Sequence, residues 1–563
     1  MSQPSQGLPM TSKLFEFPEL GTHAIKPRTV RKAHPDDHFS SDFRYQFPRE
    51  DRDLPEVYVY TDQMSYDPGE TVEFRVSTTA DSWNIQIYRD GYRPEMAHEA
   101  FDLKGEFTKT SETAYMDGCD WPVLHSWRIP TDQRSGFYRI VSTCLRRDGQ
   151  RFVQHHFVVV RPTEATRRGK IVFMPCTGTW TAYNDWGGGN HYFGTWGPDK
   201  NHASPILSLK RPWSRPMLWL PKGGARTTVD RLPAMGDGPR YPAREWGYQQ
   251  GFAQFWVSAG WAQYDRHFLV WAEKEGYEID VITQTDLHYR PELLEGYSCL
   301  AVAGHDEYWS WEMRKHVEGW VEKGGHFARF GGNFLWQIRL EEEGARQICY
   351  KTLAPTHDPV RDDPERKHLL TSIWDGEAVN WHGSSTVGVS GCHGMYSGFG
   401  GHAPRGSRGF TVYRSDHWVF EGTQLRYADV FGAEAGIFGY EVDGLEYTFR
   451  DGLPYPVDGS GAAPEIDILA MTPATMFEEE HPGEGRRFSL RDGDLHDIAT
   501  LAGGDYATKR RKMQYGSGML VAMARGAGEV VTAGSCEWVM GLTRRDEFTE
   551  QITRNVLSRF TAD

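Results

Sequence analysis

Hydrophobic and polar positions alternate over short stretches from Val57 to about Val160. The stretches are Val57-Tyr58-Val59-Tyr60, Thr71 to Val76, Trp83 to Tyr88, Gly136 to Val141 and Arg151 to Val160. Asp67-Pro68-Gly69, Asp90-Gly91 and Asp148-Gly149 separate several of them as turn formers. Period-2 segments at this spacing predict a β-sandwich over residues 55–162. After a polar joint ending in Arg167-Arg168-Gly169 the pattern changes. Continuous apolar runs at Lys170 to Pro175, Glu278 to Thr283, Ser298 to Val302, His326 to Phe330 and Glu529 to Ser535 predict buried strands. Helical spacing predicts helices over Tyr264 to Lys274, Trp311 to Lys323 and Glu547 to Phe560. Strands alternating with helices across glycine-bearing turns predict a doubly wound α/β layer over residues 168–563.

Three stretches lack either period. Residues 1–54 combine Pro, Arg, His and Asp with six aromatic rings from Phe15 to Phe47, as expected of an extended arm with anchors. Residues 193–260 are rich in Pro and Gly and are expected to form a lid, a binding wall or a subunit contact. Residues 350–510 are mixed and loop-rich, and His393 and Glu441 sit there in turns that can reach a common site. Residues Thr177 to Tyr192 read as an aromatic-rich turn whose Gly187-Gly188-Gly189 allows positive φ, as at the lip of a site.

Composition narrows the function classes. Hydrophobic residues at 39% of 563 positions allow large cores, and a net charge of −15 with no Lys/Arg-rich block excludes nucleic acid or an anionic membrane as main partner. No apolar run reaches the ~20 residues of a membrane span, and the first residues lack a basic-then-apolar leader, so a cytoplasmic location is expected. The seven cysteines form no Cys-x-x-Cys pair, which speaks against a disulfide framework or a zinc knuckle.

Chemistry concentrates at Ala303-Gly304-His305-Asp306-Glu307-Tyr308-Trp309-Ser310, directly behind an apolar strand and ahead of a helix. Ligands collect at the carboxyl ends of strands in open α/β sheets, so this turn points ionisable groups at the expected edge. The bland alternative makes Asp306 a helix cap and His305 a satisfied polar residue.

Tyr183-Asn184-x-Trp186-Gly187-Gly188 with Tyr192, Tyr277-x-x-Asp280-Val281-Ile282-Thr283-x-x-Asp286-Leu287-His288, Gly304-His305-x-Glu307-Tyr308 and Gly331-Gly332-Asn333-Phe334 occur in that order. Together they resemble the large (beta) subunit family of N,N-dimethylformamidase. Separately, the α/β layer with its charged strand-to-helix turn resembles the glutamine-amidotransferase architecture, and the Tyr66-Asp67-Pro68-Gly69-Glu70 turn ahead of an alternating strand resembles the opening hairpin of immunoglobulin-like domains, so a glutamine-amidotransferase-like α/β layer preceded by an immunoglobulin-like β-sandwich is expected. The resemblance to the N,N-dimethylformamidase family implies a hydrolase that cleaves an N,N-dialkyl formamide to formate and dialkylamine at a mononuclear Fe(III). It implies Tyr183, Tyr192 and Glu307 as iron ligands, His305 and Asn333 as neighbouring catalytic groups, and Glu441 as general base. Phenolate and carboxylate oxygens are hard anionic donors suited to that ion. An apolar pocket from Trp180, Trp186 and Phe334 would suit a dialkyl amide.

The chain departs from the family pattern in three places. No N-terminal lectin-like domain is expected, Tyr183 and Tyr192 lie unusually close in sequence, and Asp306 stands where proline is common. The first suggests a leaner assembly in which a small partner subunit is possible but not indicated, and the aromatic arm with the long insertion leads to the expectation of a homo-oligomer. The third implies a carboxylate able to shift Glu307. Two other functions stand beside this one. A thiol amidotransferase would need a Cys in the turn after the strand, and Cys299 comes too early. A non-catalytic or carbohydrate-binding protein would use the twenty tryptophans and the sandwich.

Overall fold

The computed structural model describes residues 48, 50–192, 203–220, 258–394, 409–458, 460–463, 465–475 and 493–562. Most of the expected arm (1–54) and of the expected 193–260 insertion lies outside the described residues.

Two sheets build the N-terminal unit. One has the spatial order Ser65–Tyr66, Arg151–Val160, Gly136–Leu145, Ser82–Arg89, Glu95–Lys104, and the other the order Val57–Tyr60, Thr71–Thr78, Val123–Arg128. Val72, Phe74 and Val76 of the second face Ile85, Ile140 and Val158 of the first in one buried core. Apolar residues at alternate positions make one face of each strand insoluble, and a second sheet removes that face from water. Glu95–Lys104 and Val123–Arg128 escape the periodicity because they are largely exposed and polar, as befits strands at sheet edges.

The other face of the five-stranded sheet joins the C-terminal core. Phe137, Phe157 and Val159 are buried there, and the Phe137 ring stacks on Trp261 with centroids 3.8 Å apart. Among the described residues, nine strands form the sheet at the centre of that core. Their spatial order is Ile279–Val281, Ile171–Phe173, Cys299–His305, His326–Gly332, Gly528–Ala533, Tyr515–Arg525, Ile466–Thr475, Phe410–Val412, Val430–Phe431. The first five run parallel and the rest pair antiparallel. The stretch expected to be a loop-rich insertion therefore supplies three strands to this sheet. Those strands alternate too briefly, or are too short, to stand out from the surrounding Gly and Pro.

The helices Asp265–Lys274, Trp311–Glu322 and Glu547–Phe560 match their expected spans to within two residues. Phe268, Leu269, Trp271 and Ala272 form the buried face of the first. The second is capped by Ser310, whose Oγ accepts from Met313 N at 3.2 Å. No helix among the described residues is long and apolar enough to cross a membrane.

Strand order determines where a ligand can sit. From Ile171–Phe173 the chain passes to one side, to Ile279–Val281, and then returns to the other side, to Cys299–His305. In open α/β sheets such a reversal sets a crevice past the carboxyl ends of the strands on either side of it, which here are Ile171–Phe173 and Cys299–His305.

Candidate functional site

The segment after Ile171–Phe173 forms one wall of that crevice. Thr177–Tyr183 is a helix, not the turn expected from its Thr, Gly and Trp content. All seven residues are buried, so tertiary bonds decide the conformation. Gly178 N donates to Gln284 Oε1 at 2.6 Å, and Gln347 Nε2 donates to Gly178 O at 3.0 Å. Asn190 then folds the chain back: its Nδ2 donates to Tyr183 O at 3.2 Å and its Oδ1 accepts from Tyr192 N at 2.8 Å. That clamp brings the two tyrosine rings to 4.5 Å despite their short sequence spacing. Gly189 packs against the Tyr115 ring, where a Cβ would come within 2.9 Å, so the glycine run lines a contact with the N-terminal unit.

The opposite wall is Gly304 to Tyr308. Gly304 has φ +92°, and a Cβ there would lie 2.2 Å from Tyr264 Cβ, so only glycine fits ahead of His305. His305 Nδ1 lies 2.7 Å from Ser258 O, which makes Nδ1 the donor there and directs Nε2 into the crevice. Glu307 is held by its own backbone, whose N donates to Thr179 Oγ1 at 2.9 Å. Asp306 turns away, accepting from Trp309 Nε1 at 2.6 Å and Arg329 Nε at 2.7 Å. It does not cap the helix, which Ser310 does, and beyond burial the leading influences on Glu307 come from His305, Lys351 and Tyr192.

Three oxygen donors meet between the walls. Tyr183 Oη donates to Glu307 Oε2 at 3.0 Å, and Tyr192 Oη lies 2.8 Å from Tyr183 Oη and 2.9 and 3.0 Å from the Glu307 oxygens. Burial, then the Glu307 charge, pushes both phenols well above their ordinary pKa. Burial works against the Glu307 carboxylate as well, yet the bond and charge of His305 and the charge of Lys351 hold it below its usual range.

His305 links this oxygen set to a second carboxylate. Its Nε2 is 2.6 Å from Glu441 Oε2 and 3.3 Å from Glu307 Oε2. Burial pulls the imidazole down, but the charges of Glu441 and Glu307 outweigh it and raise it to about 10. Asn333, at φ +66° after Gly331-Gly332, donates from Nδ2 to Glu441 Oε2 at 2.5 Å. The structure thus brings together all six residues singled out in the sequence: Tyr183, Tyr192, Glu307, His305, Asn333 and Glu441.

Other expectations are corrected. Trp180 lies in the core against Phe137 and Phe157, with its Nε1 on Asp265, and Trp186 packs on Tyr58 and Trp121. Phe334 packs on Trp309 and Trp374. These three rings fill cores and do not form an apolar pocket, because large rings are worth most where they are wholly buried. His393 faces the charges of Asp375, Glu446 and Lys512 rather than the Glu307 cluster.

Several neighbours were missed. Tyr308 Oη donates to Tyr192 Oη at 2.8 Å, and Lys351 Nζ sits 3.3 Å from the centroid of the Tyr192 ring. Cys536 brings its Sγ within 4.8 Å of ligand atoms of His305 and Glu441. Tyr308 closes the Gly304-His305-x-Glu307-Tyr308 motif without having been given a role there, whereas nothing in the sequence around Lys351 or Cys536 marks them.

The donor set fits a small hard cation. Two phenol oxygens and a carboxylate are the hard donors such an ion takes, and here they lie 2.8–3.0 Å apart as hydrogen-bond partners of one another. A bound cation would also reverse the upward push on the two phenols by favouring their anions.

Comparison with known proteins agrees with the sequence motifs. The beta subunit of N,N-dimethylformamidase from Alcaligenes sp is 23% identical over 368 residues, which cover 60% of this chain and 41% of that protein. The beta subunit from Paracoccus aminophilus is 23% identical over 355 residues, again covering 60% of this chain and 41% of the relative. The matches thus span about two fifths of the length of these relatives. A sporulation control protein from Bacillus subtilis, 15% identical over 20% of this chain and 50% of its own, aligns with a TM-score of 0.14 and carries no argument. The profile of the family described as N,N-dimethylformamidase beta subunit-like, C-terminal, matches residues 84–552, and the chain belongs to that family.

Proposed function

We propose that this chain is an amide hydrolase that cleaves a small N-substituted amide of the formamide type to a carboxylate and an amine. Tyr183, Tyr192 and Glu307 would hold a mononuclear Fe(III). The observation that carries the reading is the meeting of two phenols and a carboxylate within 3.0 Å, joined through His305 to a second buried carboxylate, Glu441. A hard trivalent ion held there supplies Lewis acidity toward a carbonyl oxygen and a water.

The chain's own groups manage the protons. Glu441 accepts a proton from the attacking water as its oxygen bonds to the carbonyl carbon, then returns it to nitrogen as the C–N bond breaks. His305, cationic between two carboxylates, holds Glu441 in place through a 2.6 Å contact. Asn333 Nδ2, 2.5 Å from Glu441 Oε2, orients the same carboxylate and is a donor for negative charge developing on the substrate oxygen. Burial of all these groups excludes bulk water and strengthens each interaction.

The family assignment supports a dimethylformamidase-like hydrolase on a layered α/β domain preceded by a sandwich. The relatives' name as beta subunits supports assembly with further subunits, of the same or another kind. The test combines metal content, visible absorption and hydrolysis of a panel of formamides and small amides by the purified protein. Stoichiometric iron with a phenolate charge-transfer band that shifts or weakens in Tyr183→Phe and Tyr192→Phe, and is lost in Glu307→Ala, is expected. A protein that stays colourless and metal-free after reconstitution with iron, and leaves every amide intact, refutes the reading.

A further inference from the structure

Directly behind the candidate site a guanidinium joins two carboxylates that take no part in the chemistry proposed above. Arg329, on the strand His326–Gly332, places Nε 2.7 Å from Asp306 Oδ2 and Nη1 2.8 Å from Asp443 Oδ2, with all three side chains at 0% exposure. Asp306 stands between His305 and Glu307. Asp443 stands two residues after Glu441 and also accepts from Phe334 N at 3.0 and 3.2 Å, next to Asn333. One arm of the guanidinium therefore grips the turn carrying His305 and Glu307. The other grips the Glu441 segment together with the left-handed turn at Asn333.

Stability does not account for this arrangement. Taking three charges out of water costs about as much as their attraction returns, and well-packed apolar residues commonly do as well or better. What the arrangement does supply is register. The contact His305 Nε2–Glu441 Oε2 at 2.6 Å connects the two gripped segments, Asn333 Nδ2–Glu441 Oε2 at 2.5 Å joins the two parts of the second, and short charged contacts weaken with displacements of a few tenths of an ångström. A planar guanidinium with fixed donor directions suits the task, where a lysine would act as a point charge.

We propose that Asp306, Arg329 and Asp443 are positioning residues with divided roles. The Asp306 arm seats Glu307 against Tyr183 and Tyr192, and the Asp443 arm seats Glu441 and Asn333 against His305. This rests on the hydrolase reading above.

Because removal of Arg329 would strand two buried carboxylates and prevent folding, the test uses the near-isosteric Asp306→Asn and Asp443→Asn, with Arg329→Lys alongside, in the full chain. Iron affinity is measured by chelator competition, turnover is expressed per bound iron, and thermal midpoints are recorded. Asp306→Asn is expected to weaken iron binding about 10-fold or more while turnover per iron changes less than about 3-fold. Asp443→Asn is expected to do the reverse, lowering kcat per iron about 10-fold or more at nearly unchanged iron affinity and KM. Arg329→Lys should show both losses in smaller measure. Asp306→Asn and Asp443→Asn variants that only lower the thermal midpoint, or that each change both quantities alike, overturn the proposal. If the wild-type protein binds no iron and cleaves no amide, the hydrolase reading itself has failed, and crystal structures of the same variants decide the positioning roles. Opening of the 2.6 Å His305–Glu441 contact by more than about 0.5 Å supports them, and an unchanged contact overturns them.

Discussion

Acid should destabilise this protein through a histidine far from the candidate site. His156, on the strand Arg151–Val160, is buried in the N-terminal unit with Nε2 2.9 Å from Thr61 Oγ1. Its Nδ1 is buried with no hydrogen-bond partner among the described residues, so a proton added to the ring finds no acceptor there. Burial lowers its pKa to about 3, against about 6.5 in the unfolded chain. The sign follows directly. Above pH 6.5 neither state binds the proton and stability is complete; as pH falls toward 3 the unfolded chain takes up a proton that the folded chain declines. The loss is about 2 kcal/mol by pH 5 and about 4 kcal/mol by pH 3. His156→Gln keeps a polar group for Thr61 and removes the titration. Urea unfolding of both proteins at pH 7.5 and pH 5, followed by tryptophan emission, separates the terms. Whatever the offset at pH 7.5, the wild type should lose about 2 kcal/mol more than the variant on acidification. Equal losses would refute the argument, as would a His156 ring signal that titrates near pH 6.5 in the native protein. His191, lowered to about 3 by burial, acts in the same direction, so the wild-type slope should exceed the His156 share.

In the metal-free protein His305 has the opposite sign. Raised to about 10, it contributes stability that is fully present below pH 6.5 and lost as pH rises through 10, at about 1.4 kcal/mol per pH unit. A urea series from pH 6 to 10 in the presence of chelator should show that decline, and His305→Gln should flatten it. Glu441→Gln should lower turnover by about 10²- to 10⁴-fold at unchanged iron content, measured by steady-state kinetics beside metal analysis. Trp261→Ala removes the ring stacked on Phe137 and a donor to Asp90, 2.8 Å away. Denaturant unfolding should show a loss of about 3–5 kcal/mol, and two separate transitions would mean that this ring couples the N-terminal unit to the rest.

The sequence was most legible where a physical period runs long enough. Thr71–Thr78 alternates over eight residues and Glu547–Phe560 keeps helical spacing over fourteen, so each element could be read from one face. Thr177–Tyr183 could not, because its conformation comes from Gln284 and Gln347, more than 100 residues away in sequence. Five of the six site residues lie in ordered motifs beside glycines or aromatics that mark a turn, and Glu441 was marked only by its own turn, Gly439-Tyr440-Glu441-Val442-Asp443. Their mutual arrangement was not legible, and neither was Lys351, whose place over Tyr192 depends on how a loop folds back. The three aromatic residues assigned to a pocket show the limit of composition. Trp180, Trp186 and Phe334 lie near site residues in sequence, yet their rings are held in cores by burial.

The change from parallel to antiparallel pairing in the central sheet gives the site a seam. Tyr183, Tyr192 and Glu307 hang from connections on the parallel side, whereas Glu441 arrives on a segment laid across the ends of Tyr515–Arg525 and Gly528–Ala533. That segment is anchored by Asp443 N to Gly534 O at 3.0 Å and Met519 N to Asp443 O at 2.9 Å. The two halves of the site are therefore carried by differently paired parts of one sheet, and the 2.6 Å contact of His305 Nε2 with Glu441 Oε2 is where a slip of one part against the other would be felt first.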